Sequence, residues 1–584
     1  MSIQPLTLAQ ALVMRSKASP HRGAVLRKRR GVWESVSWTS IFNDTIRLYE
    51  VFSKSIKVKK QVVALMLGNR SEWLGLELAL QALGHTVLPI YAATSESDLL
   101  TILNDSRAVM LICETDTHVA KANSVSPQLH QTIAVVPLSS LEPLFDSDEA
   151  PSQLLCDRFA NDTQSVNDPA TLVYTSGTEA SPKGVLLSHQ NIVAAVTGLE
   201  TSLGLSDRDV SLNFLPFAHI MGRIELWACV LLGLQLAFCE SPSRLSESLL
   251  EVRPTVLLGV PRIFEKLEQA ARARMSQEQL VIRKGFGMAM DFALDRHKIL
   301  EAGGLPSFAR ELQHKAFDRL YFQRVREKFG GRLKFAVSGG APLARSTADF
   351  FFASGIQLLE GYGLTETCGP VCVNRPKDYR LGTVGKAMPG VEVKLGPDSE
   401  LLIRGPSVMM GYNGLPLGTG VDDGWLATGD VAKIDADGFV SIEDRKKDLV
   451  VTAGGRNISP LKIELLFKRD SLFSNVLIVG DRRPFLVALV TLNSQEAFKL
   501  ASQHGLPTRA FDEVVNSPEF LKLVAARIEL VNAQLAGFEQ IKRYKIFARE
   551  WSVDTGELTP SLKLRRKFLE TRHQIELKEL YHDA

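Results

Sequence analysis

The chain has 584 residues, of which 45% are hydrophobic and 23% charged, with a net charge of +3. That length exceeds what one hydrophobic core organises and predicts two or more domains, and the composition is that of an ordinary soluble globular protein. So small a net charge for the length implies no nucleic-acid partner.

The N-terminal residues Met1 to Pro5 lack a basic region followed by an apolar run, so no secretory signal is expected there. From Val62 the chain reads as β-α-β: a buried strand over Val62 to Leu67, and a helix from Glu72 to Leu83 with Trp73, Leu76, Leu80 and Leu83 at helical spacing. Gly84 ends the helix and Thr86 to Pro89 begins the next strand. The pattern recurs through Ser97 to Asn104 and Val109 to Ile112, which predicts an α/β fold with a parallel sheet and helices on its faces.

Leu172 and Val173 read as a buried strand leading into a loop with hydroxyls at Thr175, Ser176 and Thr178, a glycine at Gly177 and a cation at Lys183. Backbone approach at a glycine, hydroxyl donors and a compact positive charge suit nucleotide phosphates at the carboxyl end of a strand. The spacing from Gly177 to Lys183 is that of a Walker A loop, but Pro182 and Gly184 flank the lysine where that motif needs glycine before it and Ser or Thr after. An ordinary surface turn is the competing reading, because the same residue types dominate turns.

Leu226 to Cys239 is the longest strongly apolar stretch and is shorter than the roughly 18 to 20 residues of a spanning helix, so any membrane association would be peripheral, at the inner face. Residues Pro261 to Gly331 read as a helical insertion, with Leu312, Ala316, Leu320 and Phe329 as its apolar face and Arg310, Lys315, Arg319 and Arg324 solvated. The six cysteines are scattered, which suits free thiols in a cytoplasmic protein; Cys368 and Cys372 lack the second pair a zinc site needs.

Further on, Phe335 to Ser338 reads as a strand running into Gly339, Gly340 and Ala341, a place where a flat ring can lie on backbone. In the string Glu360-Gly361-Tyr362-Gly363-Leu364-Thr365-Glu366, Tyr362 offers a stacking face, Thr365 a hydroxyl for a phosphate and Glu366 a hard oxygen for Mg²⁺. Asp430, after Thr428 and Gly429, has the chemistry to accept hydrogen bonds from both ribose hydroxyls, although an aspartate after glycine is also a common turn former. The polar run Glu443 to Asp448 interrupts two apolar strands and is read as a domain boundary. Strands are expected beyond it at Asn475 to Gly480 and Phe485 to Leu492.

Taken in order, these segments resemble the adenylate-forming superfamily of acyl-CoA synthetases, luciferases and peptide-synthetase adenylation domains. The likeness rests on Thr175-Ser176-Gly177-Thr178 with Lys183, on Tyr362-Gly363-Leu364-Thr365-Glu366, on Thr428-Gly429-Asp430 and on the ending Leu558-Thr559-Pro560-Ser561-Leu562-Lys563-Leu564-Arg565-Arg566. Glu179 and Ala180 depart from the Thr-Gly pair usual in the family's phosphate loop. The final string, together with Leu215-Pro216-Phe217-Ala218-His219 and Gly259-Val260-Pro261-Arg262, resembles the long-chain fatty acyl members.

The resemblance implies a large N-terminal domain of layered sheets over 1–442 with a helical insertion near 265–330, a hinge at 443–447 and a small mobile domain over 448–584. It implies ATP and CoA as co-substrates, Mg²⁺ on Glu366, a fatty acid as substrate, and a two-step reaction through acyl-AMP. Within it, Lys563 and Thr365 are catalytic and His219 gates or positions the substrate. Glu360, Gly361, Gly363 and the Gly339 to Ala341 wall hold adenine, Asp430 and Arg445 reach the ribose, Lys447 is the pivot, and Gly454 and Gly455 approach the pantetheine arm of CoA. A ligase that loads a carrier protein, and an idle nucleotide- or lipid-binding relative, are the alternatives. A homodimer stays open.

Overall fold

The computed structural model describes residues 6–161, 164–175, 182–276, 280–301, 303–452, 457–506, 508, 510–553, 555–559 and 563–582. Two large sheets form its body. In a seven-stranded sheet, Val62–Met66 pairs in parallel with Thr86–Ile90 and Met110–Cys113, and the last pairs in parallel with Ala134–Pro137. The helices Glu72–Ala82 and Glu96–Ser106 cross between these strands, as the β-α-β reading expected. The same sheet continues through Pro169–Thr175 to the antiparallel strand Lys183–Ser188 and the short edge strand Gly411–Tyr412.

A nine-stranded sheet carries the parallel run Gln235–Phe238, Val210–Asn213, Val256–Gly259, Phe335–Ser338 and Gln357–Leu364. Its strands are apolar because both faces are covered, and a core fed by both large sheets lies between them. A third sheet pairs Trp425–Ile434 with Glu400–Arg404 and Val440–Arg445. The strand that starts at Val440 runs on through Glu443 and Asp444 to Arg445, and the turn follows from Lys446. Beyond it, Phe473–Val479, Leu486–Leu492 and Ile541–Phe547 make a three-stranded sheet with its own buried cluster, close to the strands read from the sequence.

The insertion is helical, with Pro261–Ser276, Leu280–Glu301 and Phe308–Phe317 as its main pieces. The face expected from 3.6-residue spacing is wrong, however: Leu312 is 62% and Leu320 56% exposed, whereas Phe322, Val325 and Phe329 are buried. Asp318–Phe322 is a π-helical turn, and its extra residue rotates everything after it out of phase with the α-helical period. No helix among the described residues is long and apolar enough to cross a membrane; the apolar stretch from Leu226 is divided between the helix Ile220–Leu232, a left-handed Gly233 and the strand Gln235–Phe238. All six cysteines are free thiols.

The helix Ile220–Leu232 is wholly buried and is pinned on one side by an ion pair. Arg223 donates to Glu77 Oε1 at 2.7 Å, both side chains being inaccessible, and the Trp227 indole donates to the same oxygen at 2.9 Å. Removing one member of such a pair strands the other charge in a dry interior and costs about 3–5 kcal/mol, whereas replacing both by apolar groups is often neutral. Glu77→Leu is therefore expected to lower the thermal unfolding midpoint strongly and Glu77→Leu with Arg223→Met to recover most of the loss, as read by calorimetry; a double variant no better than the single one would contradict this account.

Candidate active site

The carboxyl ends of the central strands of the nine-stranded sheet open into one cavity of about 830 Å³. Phe335–Ser338 delivers Gly339, whose amide bonds to Gly259 O at 3.0 Å, and then Gly340, whose φ of +78° an L side chain adopts only with strain. A bare backbone shelf results. The next strand brings Glu360, Gly361, Tyr362 and Gly363 to the same rim, and its end turns into the short helix Thr365–Thr367. Gly363 admits no side chain, because a Cβ there would lie 1.9 Å from Gly369 O.

Asp430 enters from the third sheet, where it stands opposite Arg445 in antiparallel register. Its carboxylate accepts from Arg445 Nε at 2.7 Å and from the Tyr362 hydroxyl. Burial raises the Asp430 pKa and Arg445 opposes that rise. Burial likewise lifts the Glu360 carboxyl to about 7. Tyr362 is held protonated by burial and by the neighbouring Asp430 charge. On the far wall Thr175 pairs in register with Lys183, and the Lys183 ammonium lies 5.9 Å from the centre of the Tyr412 ring. The Tyr412 hydroxyl donates to Glu366 Oε1 at 3.2 Å, which ties the phosphate-loop strand to the candidate metal carboxylate.

Lys563 reaches the cavity from the C-terminal portion. Burial of its amine, with the Arg445 charge second, lowers its pKa, while Asp430 draws it upward. His219 caps the helix Ile220–Leu232, its Nδ1 accepting from Met221 N at 3.2 Å.

Every candidate site residue that the structure describes lines this single cavity: Thr175, Lys183, His219, Gly339, Gly340, Ala341, Glu360, Gly361, Tyr362, Gly363, Thr365, Glu366, Asp430, Arg445, Lys447 and Lys563. Ser176, Gly177, Thr178, Gly454 and Gly455 lie outside the described residues. The sequence reading missed Tyr412, Thr428 and Glu225, which line the same space. Tyr412 could not be found from spacing, because a two-residue edge strand carries it back to Lys183 from far along the chain.

Away from the charged rim the cavity is an apolar slot between the sheet and two helices. Val256, Leu258, Phe335 and Val337 form its floor, with Leu203 and Ile224 above. A polar mouth that suits a nucleotide, continuous with an apolar slot, fits an enzyme that brings a nucleotide to an apolar substrate. Residues 14–413 match the AMP-binding enzyme family and 447–584 the AMP-binding enzyme C-terminal domain family. The chain belongs to the AMP-binding, adenylate-forming enzymes. It is 33% identical to the long-chain-fatty-acid–CoA ligase FadD15 of Mycobacterium tuberculosis, over 94% of this chain and 93% of that one. It is 30% identical to the long-chain-fatty-acid–CoA ligase ACSBG1 of Bos taurus, over 95% and 82%. Among solved structures it resembles o-succinylbenzoate coenzyme A synthetase of Bacillus subtilis in complex with ATP and magnesium ion, with a TM-score of 0.70 at 20% identity over 96% of this chain and 99% of that one.

Burial, with the Lys563 charge second, pushes the His219 imidazole down to about 4 from an ordinary 6.5. A folded pKa below the unfolded one means that the unfolded chain binds more protons between those values, so this contribution to stability is full above about pH 6.5 and is lost as pH falls toward 4. The difference in unfolding midpoint between wild type and His219→Asn is therefore expected to shrink from pH 7 to pH 4.5, measured by differential scanning fluorimetry. A difference that does not change with pH would mean an ordinary histidine.

Proposed function

We propose that this chain is an AMP-forming acyl-CoA synthetase that activates long-chain fatty acids. The observation that carries the reading is the continuity of one cavity, from the ring of Asp430, Glu366, Lys183 and Lys563 to the apolar slot over Val256 and Val337. The relatives named as long-chain-fatty-acid–CoA ligases support both the acid and CoA as the acceptor.

A carboxylate is a poor electrophile until its oxygen becomes a leaving group. In the first step the acid attacks the α-phosphorus of ATP, pyrophosphate departs and acyl-AMP forms. Adenine lies on the Gly339 to Ala341 shelf beside Tyr362, with Glu360, Gly361 and Gly363 forming the rim. The ribose hydroxyls take over the acceptor oxygens of Asp430, close to Arg445. Negative charge gathers on the phosphoryl oxygens in the transition state, and Lys563, Thr365 and the Thr175 to Lys183 loop with Ser176, Gly177 and Thr178 stabilise it. The hard carboxylate oxygens of Glu366, beside Thr365 on the cavity wall, suit Mg²⁺, which when bound neutralises triphosphate charge. His219, neutral and fixed by its cap bond, stands between the rim and the slot and gates the acid's approach.

In the second step the CoA thiol attacks the acyl carbon and AMP leaves. The division into 1–442, a hinge at 443–447 and 448–584 is supported by the separate family match that starts at 447. Rotation about Lys447 would withdraw Lys563 and bring Gly454 and Gly455 to the same cavity. The presence of Lys563 at the cavity fits the adenylating arrangement. ATP, CoA and free thiols fit a cytoplasmic setting.

Lys563→Ala is expected to slow acyl-AMP formation by about 10²–10³-fold while sparing CoA attack on supplied acyl-AMP. Pyrophosphate release and thioester formation, assayed separately, test this; equal loss in both half-reactions would defeat the assignment. Lys447→Pro should leave adenylation intact and suppress thioester formation. Unchanged thioester turnover would discard the pivot. Comparison of free CoA with an acyl carrier protein as acceptor separates the ligase from a carrier-loading enzyme.

A further inference from the structure

One ionisable side chain faces the slot where apolar groups dominate. Glu225 lies on the side of the helix Ile220–Leu232 that looks into the cavity, in company with Met221, Ile224 and Ala228. Its residue is only 5% exposed. Across the slot Ser211 Oγ bonds to Glu225 Oε1 at 2.5 Å, and Asn213 Nδ2 donates to Oε2 at 2.7 Å. The orientation of Asn213 is itself set, since its Oδ1 accepts from Asn69 Nδ2 at 2.8 Å. Ser211 and Glu225 both line the cavity, whereas the Asn213 and Asn69 amides support them from behind.

The pair sits partway along the slot and does not close it. Ser211 stands in register with Val256, which is three residues, or about 10 Å, down the strand from the level of Gly259 and Ser338 at the nucleotide end. Leu234 lines the cavity on the far side, preceding the strand in which Leu236 pairs with Ser211. An acyl chain threaded past His219 would therefore meet a hydroxyl and a carboxyl at mid-length and carry on into apolar surroundings.

Resting on the acyl-activating reading above, we infer that Glu225 and Ser211 form a specificity site for an oxygen substituent, a hydroxyl or oxo group, on the middle of the substrate's acyl chain. A plain methylene chain gives these two groups no partner on the cavity side, and buried polar groups denied a partner disfavour the ligand that leaves them so. An oxygenated chain supplies one. Burial pushes the Glu225 carboxyl up to about 8, against the hydrogen bonds from Ser211 and Asn213. At neutral pH the group is thus mainly protonated. With Oε2 engaged by Asn213, the proton sits on Oε1 and is donated to Ser211 Oγ, which turns the serine O–H toward the slot. That arrangement presents a donor to a carbonyl or hydroxyl oxygen without placing a charge against the chain.

The experiment compares kcat/KM for hexadecanoic acid with that for its monohydroxy isomers, the hydroxyl stepped along the chain, by pyrophosphate release in wild type, Glu225→Leu and Ser211→Ala. Wild type is expected to favour at least one mid-chain isomer over the plain acid by about tenfold or more. Glu225→Leu should bring that ratio to about one or below while raising kcat/KM for the plain acid, and Ser211→Ala should reduce the ratio even if the leucine variant does not fold. A wild type that handles the plain acid at least as well as every isomer, or variants that keep the wild-type ratio, would overturn the inference and leave acyl activation standing. No pyrophosphate from any of the acids would bring down the acyl-activating reading and this one with it.

Discussion

The site depends on the carboxylate of Asp430. It is 2% exposed, it belongs to the third sheet, and its partners come from two directions: Arg445 from the adjacent strand and Tyr362 from the nine-stranded sheet. A buried anion is tolerated only with such partners, so the two sheets are held in register by the need to satisfy one acid. The same need explains why the acid can serve a ligand. A ribose diol offers two donors of similar strength, and the exchange of internal for external hydrogen bonds keeps the anion satisfied throughout. Through Arg445 and Lys563 the acid also feels the C-terminal portion, whose lysine it draws toward the charged form.

Much of this arrangement was legible in the sequence because it is local. The alternation of apolar runs and helical spacing from Val62 to Ile112 dictated parallel strands with crossing helices, and strand ends are where an α/β sheet presents ligands. Glycine shelves such as Gly339 and Gly340 announce themselves, since few other reasons exist for two adjacent glycines after a buried strand. The order of the segments, which no single motif carries, is what tied them to one family.

What escaped notice is nonlocal or depends on phase. A π-helical turn at Asp318–Phe322 displaced the buried face of the insertion, and a period of 3.6 residues cannot register one inserted residue. Tyr412 reaches Lys183 and Glu366 only through strand pairing. Glu225 looked like one polar residue in a long apolar segment; its meaning appears only when Ser211, on a different strand, is seen opposite it. Side-chain partnerships across elements are set by tertiary packing, on which periodicity is silent.

The helix Ile220–Leu232 carries a division of labour between its two sides. Arg223 and Trp227 fasten one side to Glu77, while Ile224, Glu225 and Ala228 look into the slot on the other. Because anchorage and recognition are on opposite faces, replacements in the lining need not loosen the helix that presents them. A scaffold built this way can exchange one acid for another over evolutionary time at little risk to folding.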